Sequence, residues 1–404
     1  MGTLRLLLAI SVLLKHVRGC HYAMTGGATS VETFFIISGF LIAMILDVKY
    51  NKPGQLWLFY SNRALRIYST YWLILIGVAL MQVAAHCAVH QSVIDLWLHN
   101  AARLGPEGVW YLAVTNVVIV GQDLALFMSL GHHGLHWSAA FWHSSPVVPT
   151  FMLIPPAWSL SLELTFYAIS PWILRQRTRW IAAILGLSVA IRIVLWFAGF
   201  RADPWSYRFF PNEISLFLAG ALAYRHIYRR ASLHKPSKKT RWFAFGMIPA
   251  VVLYPVYSHS HGLFFSTTKV LYLVYAVTAI PMLFRITGGL AWDRRLGELS
   301  YPLYLCHFSI VQALDHFALH VSLLVRISAA IVVSCGVAWV CVVVLERPLD
   351  HFRQSRVRRS LSASTTDARN RIAERWTSSV PLPVADEAPE RGPAVEPAPD
   401  SEPA

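Results

Sequence analysis

Ten apolar runs, at about residues 4 to 19, 31 to 47, 65 to 84, 158 to 174, 180 to 199, 210 to 226, 242 to 257, 267 to 285, 299 to 319 and 324 to 345, recur too closely for soluble domains to lie between them. Each is near the length a helix needs to cross a hydrocarbon layer about 30 Å thick. In lipid, backbone polar groups must be satisfied within the segment, so runs of this kind fold as helices. The expectation is an all-α fold, a polytopic bundle of about ten transmembrane spans. Composition agrees, since the 404-residue chain is 55% hydrophobic and only 14% charged.

An eleventh candidate, Val109 to Leu130, is interrupted by Asn116, Gln122 and Asp123. Lys and Arg in short loops stay cytoplasmic, which arbitrates. If this segment does not span, 22 basic residues face one side and seven the other; if it does, 18 of the 22 move outside. The expected arrangement is therefore ten spans with both termini cytoplasmic and residues 85 to 157 external or re-entrant. The net charge of +14 lies in short clusters between apolar runs, which orient helices and meet lipid headgroups, so membrane lipid is an expected partner and nucleic acid is not. A secretory signal would need small residues after Leu14, where Lys15, His16 and Arg18 stand. Two domains are expected: a membrane domain at 1 to 350, and a cytoplasmic tail at 351 to 404, basic at first, then rich in Pro, Ala and Glu and too polar to bury a core. The five cysteines have no metal or redox spacing, and nothing supports a Cys20 to Cys87 disulfide. Segment 85 to 157 holds seven histidines, His132, His133, His136 and His143 among them, but no Cys or Glu joins them in a ligand pattern, so no metal is expected. Its Trp97, Trp110, Tyr111, Trp137 and Trp142 suit either an interfacial belt or stacking on sugar faces.

Titratable groups inside a membrane are costly and point to function. Arg5 and His16 lie in the first run, eleven residues apart, which is about three turns plus 20° and roughly 16 Å of rise, so they share a face. By the expected topology Arg5 is at the inner end and His16 at the outer. Glu163, within Trp158-Ser-Leu-Ser-Leu-Glu-Leu-Thr-Phe-Tyr167, also enters from outside, and Arg63 and Arg66 share Arg5's level. Two layers are expected, arginines within and an imidazole with a carboxylate outside. Such layering suits a cytosolic acyl-coenzyme A, whose anionic end favours arginine and whose flexible arm is about as long as the interval. An outer imidazole could then activate a hydroxyl. Structural roles remain open for each residue, most of all for Arg63 and Arg66, since topology and headgroup contacts also place arginines at a cytoplasmic helix end.

From about residue 4 to 350 the chain resembles acyltransferase family three, membrane O-acyltransferases of which many acetylate bacterial polysaccharides, lipopolysaccharide or Nod factors. Arg5 and His16 resemble its Arg-x10-His motif, Val31 to Ile42 its second-helix signature, and Arg63-Ala-Leu-Arg66 with the aromatics after it its basic pair. Trp158 to Tyr167, Leu299-Ser-Tyr-Pro-Leu-Tyr-Leu-Cys-His307 and Glu346-Arg-Pro348 resemble three later motifs, in the same order. The resemblance implies transfer of an acyl group, acetyl above all, from cytosolic acyl-CoA as co-substrate, with no tightly bound cofactor, to a hydroxyl of an envelope or exported glycan. It implies a multi-pass protein of the bacterial inner membrane. By motif, Arg5, Arg63 and Arg66 would bind the donor, His16 would be the catalytic imidazole and Glu163 would support it. His16 as general base and His16 as a transient acyl carrier are both open, as are a donor-lining and a packing role for His307. Two departures stand out: Gly2 where an acid is common, and Glu32 where Asp is frequent. With no hydrolase-like domain after the last run, the stand-alone type is expected. The rival readings are a transporter or flippase of a lipid-linked or acylated substrate, and a non-catalytic scaffold.

Overall fold

Helix-compatible apolar runs dominate the chain, and the fold is built from them. The computed structural model describes residues 1–52, 54–257, 267–318 and 320–359. The chain divides into two units, Met1–Gln354 and Ser355–Ala404. Residues 351–359, the start of the tail expected at 351 to 404, are helical, and its remainder from 360 onward lies outside the described residues.

In the first unit, α1 (Gly2–His16), α2 (Gly26–Val48) and α3 (Leu56–Val89) precede α4 (Val93–Val118). Next come α5 (Trp158–Ile173), α6 (Thr178–Phe197), α7 (Phe210–Ala223) and a short α8 (Arg229–Ala231). After them follow α9 (Lys238–Phe245), α10 (Met247–Val252), α11 (Tyr254–Tyr257), α12 (Thr267–Thr287), α13 (Ala291–Phe317) and α14 (Leu323–Cys341). Five helices among the described residues are long and apolar enough to cross a membrane: Gly26–Val48, Leu56–Val89, Thr178–Phe197, Thr267–Thr287 and Leu323–Arg359. The helices α1, α5 and α7 have only 15, 16 and 14 residues and are largely enclosed by their neighbours. Expected run 242 to 257 is not one helix but three short ones, because Pro249 and Pro255 offer no amide to the carbonyls of Phe245 and Val251.

Two crossings are backbone against backbone. At Gly39 of α2 and Gly220 of α7, an added Cβ would overlap the carbonyl oxygens of Phe217 and Ile36. At Gly2 of α1 it would overlap Asp293 of α13, opposite Gly297. Without a hydrophobic force between helices in lipid, small residues that permit such close approach are what hold a bundle together. The α1, α13 and α14 helices enclose one apolar core of Ala9, Leu13, Leu303, Val311, Ala330 and Ala338. Buried charge is compensated between four helices: Lys269 Nζ lies 2.7 Å from Glu32 Oε2, and Arg192 Nη2 lies 2.6 Å from Glu213 Oε1.

Candidate span 109 to 130 is not a single helix either. The α4 helix bends at Gly105 and Pro106 and ends at Val118, where Ile119 takes a left-handed φ of 69°. Its terminal carbonyls are taken by α3: Tyr68 OH donates to Val118 O at 2.7 Å and Trp72 Nε1 to Val117 O at 2.9 Å. A hairpin follows, β1 (Met128–Gly131) against β2 (Gly134–Trp137), so the otherwise all-α fold carries a small antiparallel pair. Leu104, Leu112, Leu130, Phe151 and Met152 give this segment an apolar core of its own.

Candidate active site

Three arginines converge on one cavity of about 720 Å³. Arg5 comes from the first turns of α1, and Arg63 and Arg66, nearly one turn apart, from α3. Among the described residues none of the three guanidinium groups is hydrogen-bonded or closely ion-paired, and Arg63 Nε is buried without a partner. Of the other charged residues in the lining, Arg347 Nε lies 3.6 Å from Glu298, Arg353 pairs with Asp350 and Glu346 accepts from Thr70 Oγ1 at 3.0 Å, while Arg294 is exposed. Three uncommitted guanidiniums in one cavity make a receptor for a multiply charged anion, whose oxygens would take the planar N–H groups.

Across the cavity stands Glu163. Ser159, Glu163 and Tyr167 recur every fourth residue of α5 and so share a face. Glu163 Oε1 accepts from Ser38 Oγ at 2.6 Å and from the Tyr167 hydroxyl, while the two hydroxyls lie 3.1 Å apart.

His16 lines a second cavity, of about 490 Å³, together with Lys15, Trp158, Arg208, Tyr304 and Phe308. Its Nδ1 lies 2.8 Å from Val12 O. A carbonyl only accepts, so the neutral ring carries its proton on Nδ1 and presents a lone pair at Nε2. Its ring meets His307 and Phe308, each with centroids 5.2 Å away. His307 is fully buried and lines neither cavity; its Nδ1 donates to Tyr304 O at 2.7 Å and its Nε2 has no partner among the described residues.

The expected outer layer of imidazole with carboxylate does not form. Glu163 joins the arginines, and only Trp158 of its motif reaches the His16 cavity. Five residues of helix turn a side chain about 140° and shift it roughly 7.5 Å, so Trp158 and Glu163 face different cavities. The two cavities adjoin, because Val31 and Tyr304 line both. Tyr304 is held there by its hydroxyl, 2.7 Å from Ser159 Oγ and 3.1 Å from Pro156 O. Motif reading missed Ser38, Tyr167 and Tyr304 as site residues, although all three lie inside the quoted motifs. Arg208 lies in none of these motifs and is one of the seven basic residues on the outer side of the expected topology.

The missing acid at Gly2 is replaced through space. Asp293 of α13 accepts from Gly2 N, Thr3 N and Thr3 Oγ1, each at 2.8 Å, at the start of α1 where helix amides are unpaired. Burial works against its charge, but these bonds and that from the Met1 amine keep its carboxyl well below the usual range. As for the histidines, His132 and His133 form the hairpin turn, and a different set, His86, His90 and Asp95, gathers within 4.8 Å. Asp95 there completes the capping box of α4, accepting from the N-cap Ser92 N at 2.8 Å and Ser92 Oγ at 2.6 Å, and His86 Nδ1 lies 2.7 Å from its other oxygen.

The acyltransferase domain family model matches residues 3–346. An uncharacterized protein of Aquifex aeolicus (strain VF5) is 23% identical over 215 residues, covering 52% of this chain and 94% of that one. A protein of Bacillus subtilis (strain 168), whose name reads "Putative peptidoglycan O-acetyltransferase YrhL", is 25% identical over 341 residues, 76% of this chain and 48% of that one. No solved structure matches. With the family matched across nearly the whole described chain, and with helices suited to a bilayer, this chain belongs to the acyltransferase domain family and is a membrane acyltransferase.

Proposed function

We propose that the protein moves an acetyl group from cytosolic acetyl-CoA to a hydroxyl of an envelope or exported glycan, across a bacterial cytoplasmic membrane that it spans ten times with both termini inside. The observation that carries this reading is the pair of cavities that share Val31 and Tyr304, uncommitted arginines in one and an imidazole with a free lone pair in the other. Arg5, Arg63 and Arg66 hold the phosphates of the donor. Glu163, fixed by Ser38 and Tyr167, faces the same cavity and orients the donor rather than the imidazole. The thioester arm passes the wall at Tyr304 toward His16. There Nε2 takes the proton of the acceptor hydroxyl as its oxygen attacks the thioester carbonyl; the C–S bond breaks, and the proton returns to the departing coenzyme A sulfur. In the variant with a covalent step, Nε2 attacks the thioester carbonyl and the C–S bond breaks, leaving an acyl-imidazolium and coenzyme A thiolate; the acceptor oxygen then attacks the acyl carbon, the C–N bond to Nε2 breaks, and the hydroxyl proton passes by Nε2 to the thiolate. His307, whose ring lies tilted against that of His16, holds it in position. The orientation rests on the excess of Lys and Arg on one side, and the acceptor class on the name of the Bacillus relative.

The purified His16→Ala protein should lose transfer of labelled acetyl from acetyl-CoA to glycan by at least about a hundredfold, the contribution of a general base. Transfer at the wild-type rate would remove His16 from the chemistry.

A further inference from the structure

The cavity at His16 has a charge imbalance that acetyl transfer to a neutral sugar does not require. Its lining includes two cations, Lys15 and Arg208, and no carboxylate. Arg208 is built in. Its Nε donates to Asp203 Oδ1 at 2.6 Å, its Nη2 donates to Tyr207 OH at 2.6 Å, and its guanidinium carbon lies 4.4 Å over the Trp158 ring. The side chain is only 16% exposed. Asp203 forms an ion pair with the Nε end, which offsets part of the charge, and does not itself line the cavity, while Nη1 has no partner among the described residues. A planar group pinned along one edge and left open at the other is the arrangement that receives a carboxylate or a phosphate. Seating a guanidinium beside an imidazole that must accept a proton also opposes the step, because two positive charges would then face each other. An incoming anion relieves that opposition.

We propose that Arg208, assisted by Lys15, binds an anionic group of the acceptor, so that the acceptor is an acidic saccharide or a saccharide carried on a polyprenyl phosphate. The inference rests on reading the His16 cavity as the acceptor site. The Phe308 ring then offers the sugar an apolar surface while Arg208 selects its charge and sets which hydroxyl reaches His16 Nε2.

The test is binding to the full-length protein in nanodiscs, read by calorimetry with two matched pairs of probes. One pair is nitrophenyl β-glucuronide and its methyl ester; the other is glucosyl polyprenyl phosphate and glucosyl polyprenol. The anionic member of at least one pair should bind about tenfold or more tightly than its neutral counterpart, as a charge-assisted hydrogen bond predicts, and the pair that responds names the source of the anion. R208Q should abolish the advantage; R208K, which keeps the charge but loses the fork, should retain part of it and serves if R208Q does not fold. Equal binding within both pairs, or an advantage that survives these substitutions unchanged, overturns the proposal. Acetyl transfer measured on the same samples reports separately: transfer without anion preference sinks only the role of Arg208, and anion preference without transfer sinks only the enzymatic reading of the cavity.

Discussion

Arg63→Met separates a donor-binding arginine from one that merely marks the cytoplasmic side. Arg63 Nε is buried without a partner, and Arg5 and Arg66 open onto the same cavity. An unmade hydrogen bond at a buried polar group costs about 1 to 3 kcal/mol, to which the repulsion between like charges adds. In the donor-free protein the apolar, similarly long methionine removes both costs, so the variant should be more stable by about 2 kcal/mol, a rise in Tm of roughly 2 to 4 °C for a chain of this size. Binding should move the other way. Loss of one charge-assisted contact, worth about 1.5 to 3 kcal/mol, weakens coenzyme A about tenfold to a hundredfold. At a concentration of about 100 Kd, coenzyme A stabilises the wild type by about 2.7 kcal/mol; at the same concentration the variant should gain only about 0.4 to 1.4 kcal/mol. Thermal unfolding in nanodiscs with and without coenzyme A, with calorimetry for Kd, reads both quantities. A variant that melts lower than wild type yet keeps the full coenzyme A shift would refute the argument and return Arg63 to topology and headgroup contact.

Two further outcomes bear on the fold. Gly220→Val places side-chain atoms on Ile36 O and should cost more than about 3 kcal/mol, with little folded protein recovered, whereas Gly336→Ala meets nothing within 4 Å and should gain up to about 1 kcal/mol; wild-type melting of Gly220→Val would mean that α2 and α7 do not cross backbone to backbone. In a background without Cys20 and Cys87, a cysteine at the exposed Ala139 should react with an impermeant maleimide applied to whole cells, and protection there until lysis would overturn the ten-span orientation.

Much of this was legible in the chain. Ten apolar runs required a helical membrane protein, because lipid leaves backbone groups no other partners. The eleven-residue interval put Arg5 and His16 on one face of α1, since that follows from counting along a single helix. Quoted motifs led to the family, and the family to acyl transfer. Run 242 to 257 failed as one helix because mean apolarity hides the amides missing at Pro249 and Pro255.

What the linear pattern could not supply is which faces of different helices meet. Depth along α5 suggested that Glu163 accompanies His16, but helical phase turns it to Arg5, Arg63 and Arg66. Only packing of α1 on α13 brings His307 onto His16 and Asp293 to the start of α1, and only the loop before α7 carries Arg208 into the same cavity. Local spacing determines which residues lie on one side of a helix; the rotation of each helix about its own axis is settled by close contacts such as Gly39 against Phe217 and Gly220 against Ile36. Those contacts depend on residues far apart in the chain, so the two cavities and the Tyr304 wall between them belong to the tertiary structure alone.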